Sequence, residues 1–148
     1  MTRRRFVAAA SGVVMLPWLS RPAAAQFSLL DPNVLKFARG AEVRQGRVKL
    51  TLPLLAENGN SVPLRVVVDS PMNAADYVRT IALISSRNPE PNMARFAIWP
   101  RAGRADIATR VRLAGSQRVM AVAECSDGSF WMDSQEIVVT ISACLDET

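Results

Sequence analysis

The residues best equipped for chemistry in this 148-residue sequence are its two cysteines, Cys125 and Cys144. Histidine is absent altogether, which removes the imidazole base of Ser-His-Asp and Cys-His sites, the histidine ligands of most catalytic zinc and blue-copper centres, and the usual proton shuttle at neutral pH. Met72, Met93, Met120 and Met132 could offer thioethers to copper, but they are scattered with no close spacing, so packing is their expected role. The carboxylates Asp69, Asp76, Asp106, Asp127 and Asp133 fit no calcium-loop spacing, and no Gly-rich run could cradle a phosphate. No cofactor and no metal are therefore expected. What the thiols can do depends on the elements that carry them.

The formal net charge of +5 suggests a nucleic-acid binder until its location is considered. Arg3, Arg4 and Arg5 precede an uncharged apolar run from Phe6 to Leu19, followed by Ser20-Arg21-Pro22 and the small residues Ala23-Ala24-Ala25. A charged start, an apolar middle and an A-x-A site read as an export signal over 1–25, cut before Gln26. Paired arginines followed shortly by Phe6 and Val7 point to the twin-arginine route, with an ordinary Sec signal as the alternative. From Gln26 onward 14 basic residues face 13 acidic ones, so no basic patch remains to argue for nucleic acid. No later apolar run reaches the ~20 residues that a membrane span needs, and the expected product is a soluble exported protein.

In the segment 26–46, Asp31 as N-cap, Pro32 at the first helical position and apolar Val34, Leu35, Phe37 and Ala38 before Gly40 predict one short helix. Beyond it the pattern has period two. Strands are expected at 47–55, 61–69, 78–86, 93–99, 105–114, 117–125 and 136–143. In the second of these Val62, Leu64, Val66 and Val68 share one face; in the fifth Ile107, Val111 and Leu113 oppose Arg110 and Arg112. Turn-forming stretches such as Glu57-Asn58-Gly59-Asn60 and Ser126-Asp127-Gly128-Ser129 separate them. The fold class is all-β: an immunoglobulin-like antiparallel β-sandwich of about seven strands with a short N-terminal helix. The Cys-Trp-Cys core of antibody domains is missing, so the class rests on strand number and spacing. Trp99, Phe130 and Trp131 are expected at the sandwich edge or core, although Phe130-Trp131 beside a turn could also anchor a partner.

One disulfide is the default for two cysteines in an exported chain. Cys125 closes one strand, however, and Cys144 lies past the end of the next. Antiparallel pairing about the 126–135 connection separates them by on the order of 20 Å, beyond the ~4.4–6.8 Å between Cα atoms that a disulfide spans. Two separate thiols are expected, Cys125 buried in the alternation Val119, Ala121, Ala123, Cys125, and Cys144 exposed on an arm over 142–148.

Several stretches resemble the SoxY family of periplasmic sulfur-carrier proteins. They are Glu57-Asn58-Gly59-Asn60-Ser61-Val62-Pro63, Val68-Asp69-Ser70-Pro71-Met72, Asn88-Pro89-Glu90-Pro91, Thr109-Arg110-Val111-Arg112-Leu113-Ala114, Val122 to Phe130, and Val138-Val139-Thr140-Ile141 leading to a cysteine. The resemblance covers nearly all of the chain from Gln26, and it implies a sandwich at 47–141 that forms a heterodimer with a second small sandwich, SoxZ. It also implies a periplasmic, non-enzymatic carrier whose C-terminal cysteine, here Cys144, holds sulfur intermediates covalently between separate enzymes of thiosulfate-type oxidation. The arm departs from the family pattern Gly-Gly-Cys-Gly-Gly. It reads Ser142-Ala143-Cys144-Leu145-Asp146-Glu147 and is similar to SoxY-related variants with an Ala-Ala-Cys-Ile-Glu arm. Losing the glycines stiffens it, and Asp146 and Glu147 disfavour a thiolate and repel anions. The rival readings are a non-covalent sandwich module binding a SoxZ-like or periplasmic dehydrogenase partner and, more weakly, a Cys/Met copper module.

The export reading has a direct check: N-terminal sequencing of protein secreted by its native host should begin at Gln26, and lysine at both Arg3 and Arg4 should block export. Undiminished export of that variant would leave only the Sec route.

Overall fold

The computed structural model describes residues 31–141. The export segment with its cut before Gln26, and the arm 142–148 with Cys144, lie outside the described residues. The helix α1 runs Pro32–Phe37 and starts as expected: the Asp31 carboxylate accepts from the Asn33 N–H, and Pro32, which has no N–H to leave unpaired, takes the first turn. It ends within two turns because Arg39 and Gly40 both adopt positive φ (54° and 77°), with the Gly40 N–H donating to the Leu35 carbonyl.

Nine strands follow: β1 Val43–Gln45, β2 Val48–Thr51, β3 Leu55–Asn58, β4 Val62–Val68, β5 Val78–Ser85, β6 Asn92–Ala97, β7 Ala105–Val111, β8 Gln117–Cys125 and β9 Phe130–Ile141. One sheet has the order β1-β9-β8-β5-β6, with β3 also on β9; the other is β2-β4-β7. The expected immunoglobulin-like sandwich is what the chain forms, with three differences of detail. The strand expected at 47–55 is two strands, because the chain leaves one sheet at Leu52-Pro53-Leu54 and joins the other, and Pro53 has no N–H to continue a ladder. The last strand begins at Phe130 rather than 136. A turn of only four residues suffices, closed by the Cys125 N–H on the Ser129 carbonyl and by Gly128 at φ 82°. The segment read as helical at 26–46 also contains β1, which runs parallel to the start of β9.

The alternation of β4 holds residue by residue: Val62, Leu64, Val66 and Val68 are buried and the residues between them exposed. They meet Ile81, Leu83, Val119, Ala121 and Ala123 between the sheets. The outer faces of β5 and β8 are buried too, since Ala82, Ile84, Met120 and Val122, with Phe130 and Met132, lie under Val34, Phe37 and Ala38 of the helical segment. Burial on both faces is why 119–123 reads as an unbroken apolar run. Phe37 meets Phe130 edge to face at 5.9 Å, and covering one such side chain contributes about 1.5–3 kcal/mol.

One side of the sandwich is closed by 43–58, which threads between the sheets. The Leu50 N–H, pointing away from β4, donates to the Asp133 carboxylate at 2.8 Å, and the Leu52 N–H to the Gln135 side-chain carbonyl at 3.2 Å. Next along the chain, the Val138 N–H donates to the Leu54 carbonyl, and β3 then pairs parallel with the end of β9. No helix among the described residues is long and apolar enough to cross a membrane.

Asp133→Ala leaves the Leu50 N–H without its acceptor at a nearly dry position. It should therefore lower the free energy of urea unfolding by about 1–3 kcal/mol, with Asp133→Asn, which keeps an acceptor oxygen, recovering most of the loss.

Candidate functional site

Cys125 ends β8 beside the start of β9, and Cys144 follows the end of β9 in the sequence, outside the described residues. Near the start of β9 the hairpin register pairs Glu124 with Phe130, which puts Cys125 beside the 126–129 turn. Cys125 is fully buried, opposite Val78. Burial pushes its thiol pKa up; Arg47 and the Ser129 hydroxyl pull weakly the other way, while Asp127 and Asp76 add to the rise. A thiol held neutral in an apolar site is an inert packing group. The turn itself is well ordered by charge: Asp127 accepts from the Ser129 N–H and hydroxyl, which hold its carboxyl below the usual range.

At the other end β9 outruns β8, whose pairing stops at Gln117 opposite Ile137. The last four residues of the strand are held by other partners. Ser116 brackets Val139 from both sides, its Oγ accepting from the Val139 N–H at 2.9 Å and lying 3.3 Å from the Val139 carbonyl. The Thr140 hydroxyl donates to the Glu57 carbonyl, and the Gly59 N–H to the carbonyl of Ile141. Ser116 is in turn placed by a polar cluster at the loop bases. There the Ser85 hydroxyl donates to the Gln117 carbonyl oxygen, the Gln117 amide donates to Asn88, and Asn88 donates to the Arg112 carbonyl. This cluster was missed from sequence, although its signal was present: Ser85 and Gln117 are polar residues terminating apolar strands.

Cys144 lies three residues past this anchored point, outside the described residues. From Phe130 to Ile141 the strand extends on the order of 36 Å at ~3.3 Å per residue. The expected separation of the two cysteines falls on residues outside the described ones.

The other candidates separate by burial. Met72, Met120 and Met132 are buried and Met93 packs against the core, with the Met72 sulfur accepting from the Val78 N–H at 3.4 Å. Among the described residues no group of His, Cys, Asp or Glu is placed to hold a metal ion. Phe130 is buried under α1 rather than offered to a partner. Trp131 is half-buried, flanked by the Arg44 and Arg47 guanidinium groups at 5.9 and 5.8 Å, and Trp99 stands 66% exposed.

Comparison with known proteins adds to this geometry. The sequence matches the family described as "Sulfur oxidation protein SoxY" over residues 35–144, a match that reaches the second cysteine. Among solved structures, the chain is similar to the sulfur carrier protein SoxY from Chlorobium limicola f thiosulfatophilum, with 22% identity, 80% of this chain and 100% of that one covered, and a TM-score of 0.60. It is also similar to the superoxide reductase (neelaredoxin) from Ignicoccus hospitalis, with 24% identity, coverage of 64% and 80%, and a TM-score of 0.57. A putative superoxide reductase from Thermotoga maritima follows at 20% identity, 70% and 89% coverage and a TM-score of 0.52. At these identities the structural likenesses concern the fold. No curated protein matches the chain.

The environment of Cys125 has a consequence for pH. Its folded pKa lies above the ordinary thiol value, so its contribution to stability is complete below about pH 8.5 and is lost as pH rises through the folded value. Denaturant titrations should therefore show stability falling above about pH 8.5, with a shallower fall in Cys125→Ala. Identical alkaline slopes in the two proteins would contradict it.

Proposed function

The chain belongs to the SoxY family of sulfur oxidation proteins, and from that premise we propose that it is a periplasmic carrier that holds sulfur intermediates covalently on Cys144. The reading makes it a tether rather than an enzyme: other proteins load and unload the thiol, and the folded body presents it. The observation that carries the proposal is the anchoring of the end of β9. Ser116, Thr140 and Gly59 fasten the strand up to Ile141, so the cysteine follows, three residues later in the sequence, a strand end that is fixed to the sandwich.

That placement suits a substrate carried into a narrow site while the body stays outside. Nothing in the described residues near Ile141 supplies an imidazole or a metal to activate a thiol; in this reading activation comes from the enzymes it visits. Asp146 and Glu147 beside Cys144 work against anionic cargo approaching unaided, which favours delivery by a protein that neutralises them. The partners in this reading are a SoxZ-like small sandwich, as a heterodimer, and periplasmic sulfur-oxidising enzymes acting on thiosulfate-type compounds. Export by the twin-arginine route belongs to the same proposal.

Intact mass of protein isolated from its host without reductant should show a substoichiometric sulfur-containing adduct that reductant removes. Cys144→Ser should abolish the adduct and leave the unfolding midpoint unchanged, whereas Cys125→Ser, placing a hydroxyl in an apolar site, should lower stability by about 1–3 kcal/mol. An adduct that persists in Cys144→Ser would remove the carrier role from this cysteine.

A further inference from the structure

The two long sides of the sandwich are finished differently. On the side of β9 the segment 43–58 crosses between the sheets and its N–H groups are met by Asp133 and Gln135. On the opposite side β6 ends one sheet and β7 ends the other, and among the described residues no strand pairs with the outer edge of either. The Ile98 N–H donates inward to the Arg79 carbonyl. By the alternation of an antiparallel ladder, Ala97 and Arg95 then turn their N–H and C=O groups outward, a vacant template for another strand.

Between these edges lies a groove of ≈ 930 Å³. Its floor is the open flank of the core, formed by Phe96, Ile98 and Ile107, and its wall is the β6–β7 connection with Trp99. A Trp left 66% exposed over an apolar floor is the kind of residue that dominates binding when covered. The charge at this end is one-sided. Arg101 and Arg104 make no ion pair among the described residues, and the only acid lining the groove, Asp106, is engaged by the Arg65 guanidinium at 2.8 Å. The Asp106 carboxyl is held below its usual range chiefly by its hydrogen bond to Arg65, with Arg104 adding a weaker attraction, so its oxygens are engaged by Arg65 while the Arg101 and Arg104 guanidinium groups keep their donors unpaired among the described residues.

We propose that this side of the sandwich is a docking edge that accepts an extended β-strand of a partner protein, apolar along one face and acidic at the end that meets Arg101 and Arg104. Backbone pairing to β6 supplies the extended geometry, the Phe96–Ile98–Ile107 floor takes alternate apolar side chains, and the arginines set the orientation. The site lies on the sandwich flank across from β9, so it can be occupied while the end of β9 stays free. It stands whether or not Cys144 carries sulfur.

The test uses the processed protein and two synthetic peptides sharing a Val-Thr-Val-Thr-Val body, one headed by Glu-Asp-Glu and one by Lys-Lys-Lys. Residue-resolved hydrogen exchange should show the acidic peptide slowing exchange at the Arg95 and Ala97 amides by tenfold or more and leaving the buried Ile81 amide unchanged. The lysine peptide should do neither. Binding should weaken with added salt, drop about tenfold in Trp99→Ala, and reverse its peptide preference in the exposed double variant Arg101→Glu/Arg104→Glu. Equal binding of both peptides, or protection elsewhere but not at β6, overturns the proposal. So does concentration-dependent protection of the same amides without peptide, which would make the occupant a second copy of this chain. Loss of the Cys144 adduct with intact peptide binding would count against the carrier reading alone.

Discussion

Strand β9 must satisfy the backbone of twelve residues, and its hairpin partner β8 covers only the first eight. Buried N–H and C=O groups cannot be left unpaired cheaply, so the rest of the structure is arranged to serve this strand. β1 pairs its beginning and β3 its end, both parallel, and in between the side chains of Asp133 and Gln135 take up the N–H groups of Leu50 in β2 and of Leu52 just past it. The chain crosses between sheets at Pro53 because both sheets need a strand there and only one segment is available. The result is a sandwich sewn shut along one side.

The buried thiol takes its properties from its position beside the start of that strand. Cys125 sits where the hairpin begins and every neighbour is close, so burial dominates and its thiol is held neutral. Cys144 comes three residues after Ile141 in the sequence. The same anchoring that fastens Ile141 gives the proposed carrier a fixed launching point.

Sewing one side shut leaves the other unfinished. β6 and β7 keep free edges, with an apolar floor between them and two arginines beside it, and edges of that kind are usually blunted or covered. Arg95 partly does this on the outer face, lying over the Phe37 ring at 5.1 Å, but it leaves the groove open. Among the described residues nothing covers that groove.

What was legible from sequence was whatever a local rule decides. Asp31-Pro32 marked the helix start, the valines of 62–68 marked one face, and Cys125 followed its alternation into the core, because capping and period-two burial depend on residues a few positions apart. The family resemblance, carried by turns such as Glu57-Asn58-Gly59-Asn60 and by the cysteine after Ile141, was legible for the same reason. Tertiary structure alone decided where strands stop and which edges they meet. Nothing local says that Phe130-Trp131 belongs to β9, that 47–55 divides between sheets, or that Ser116 fastens Val139, since each depends on partners tens of residues away. The open β6–β7 side is of that kind too: a strand's pattern shows which face is buried, but its neighbours determine whether its edge is free.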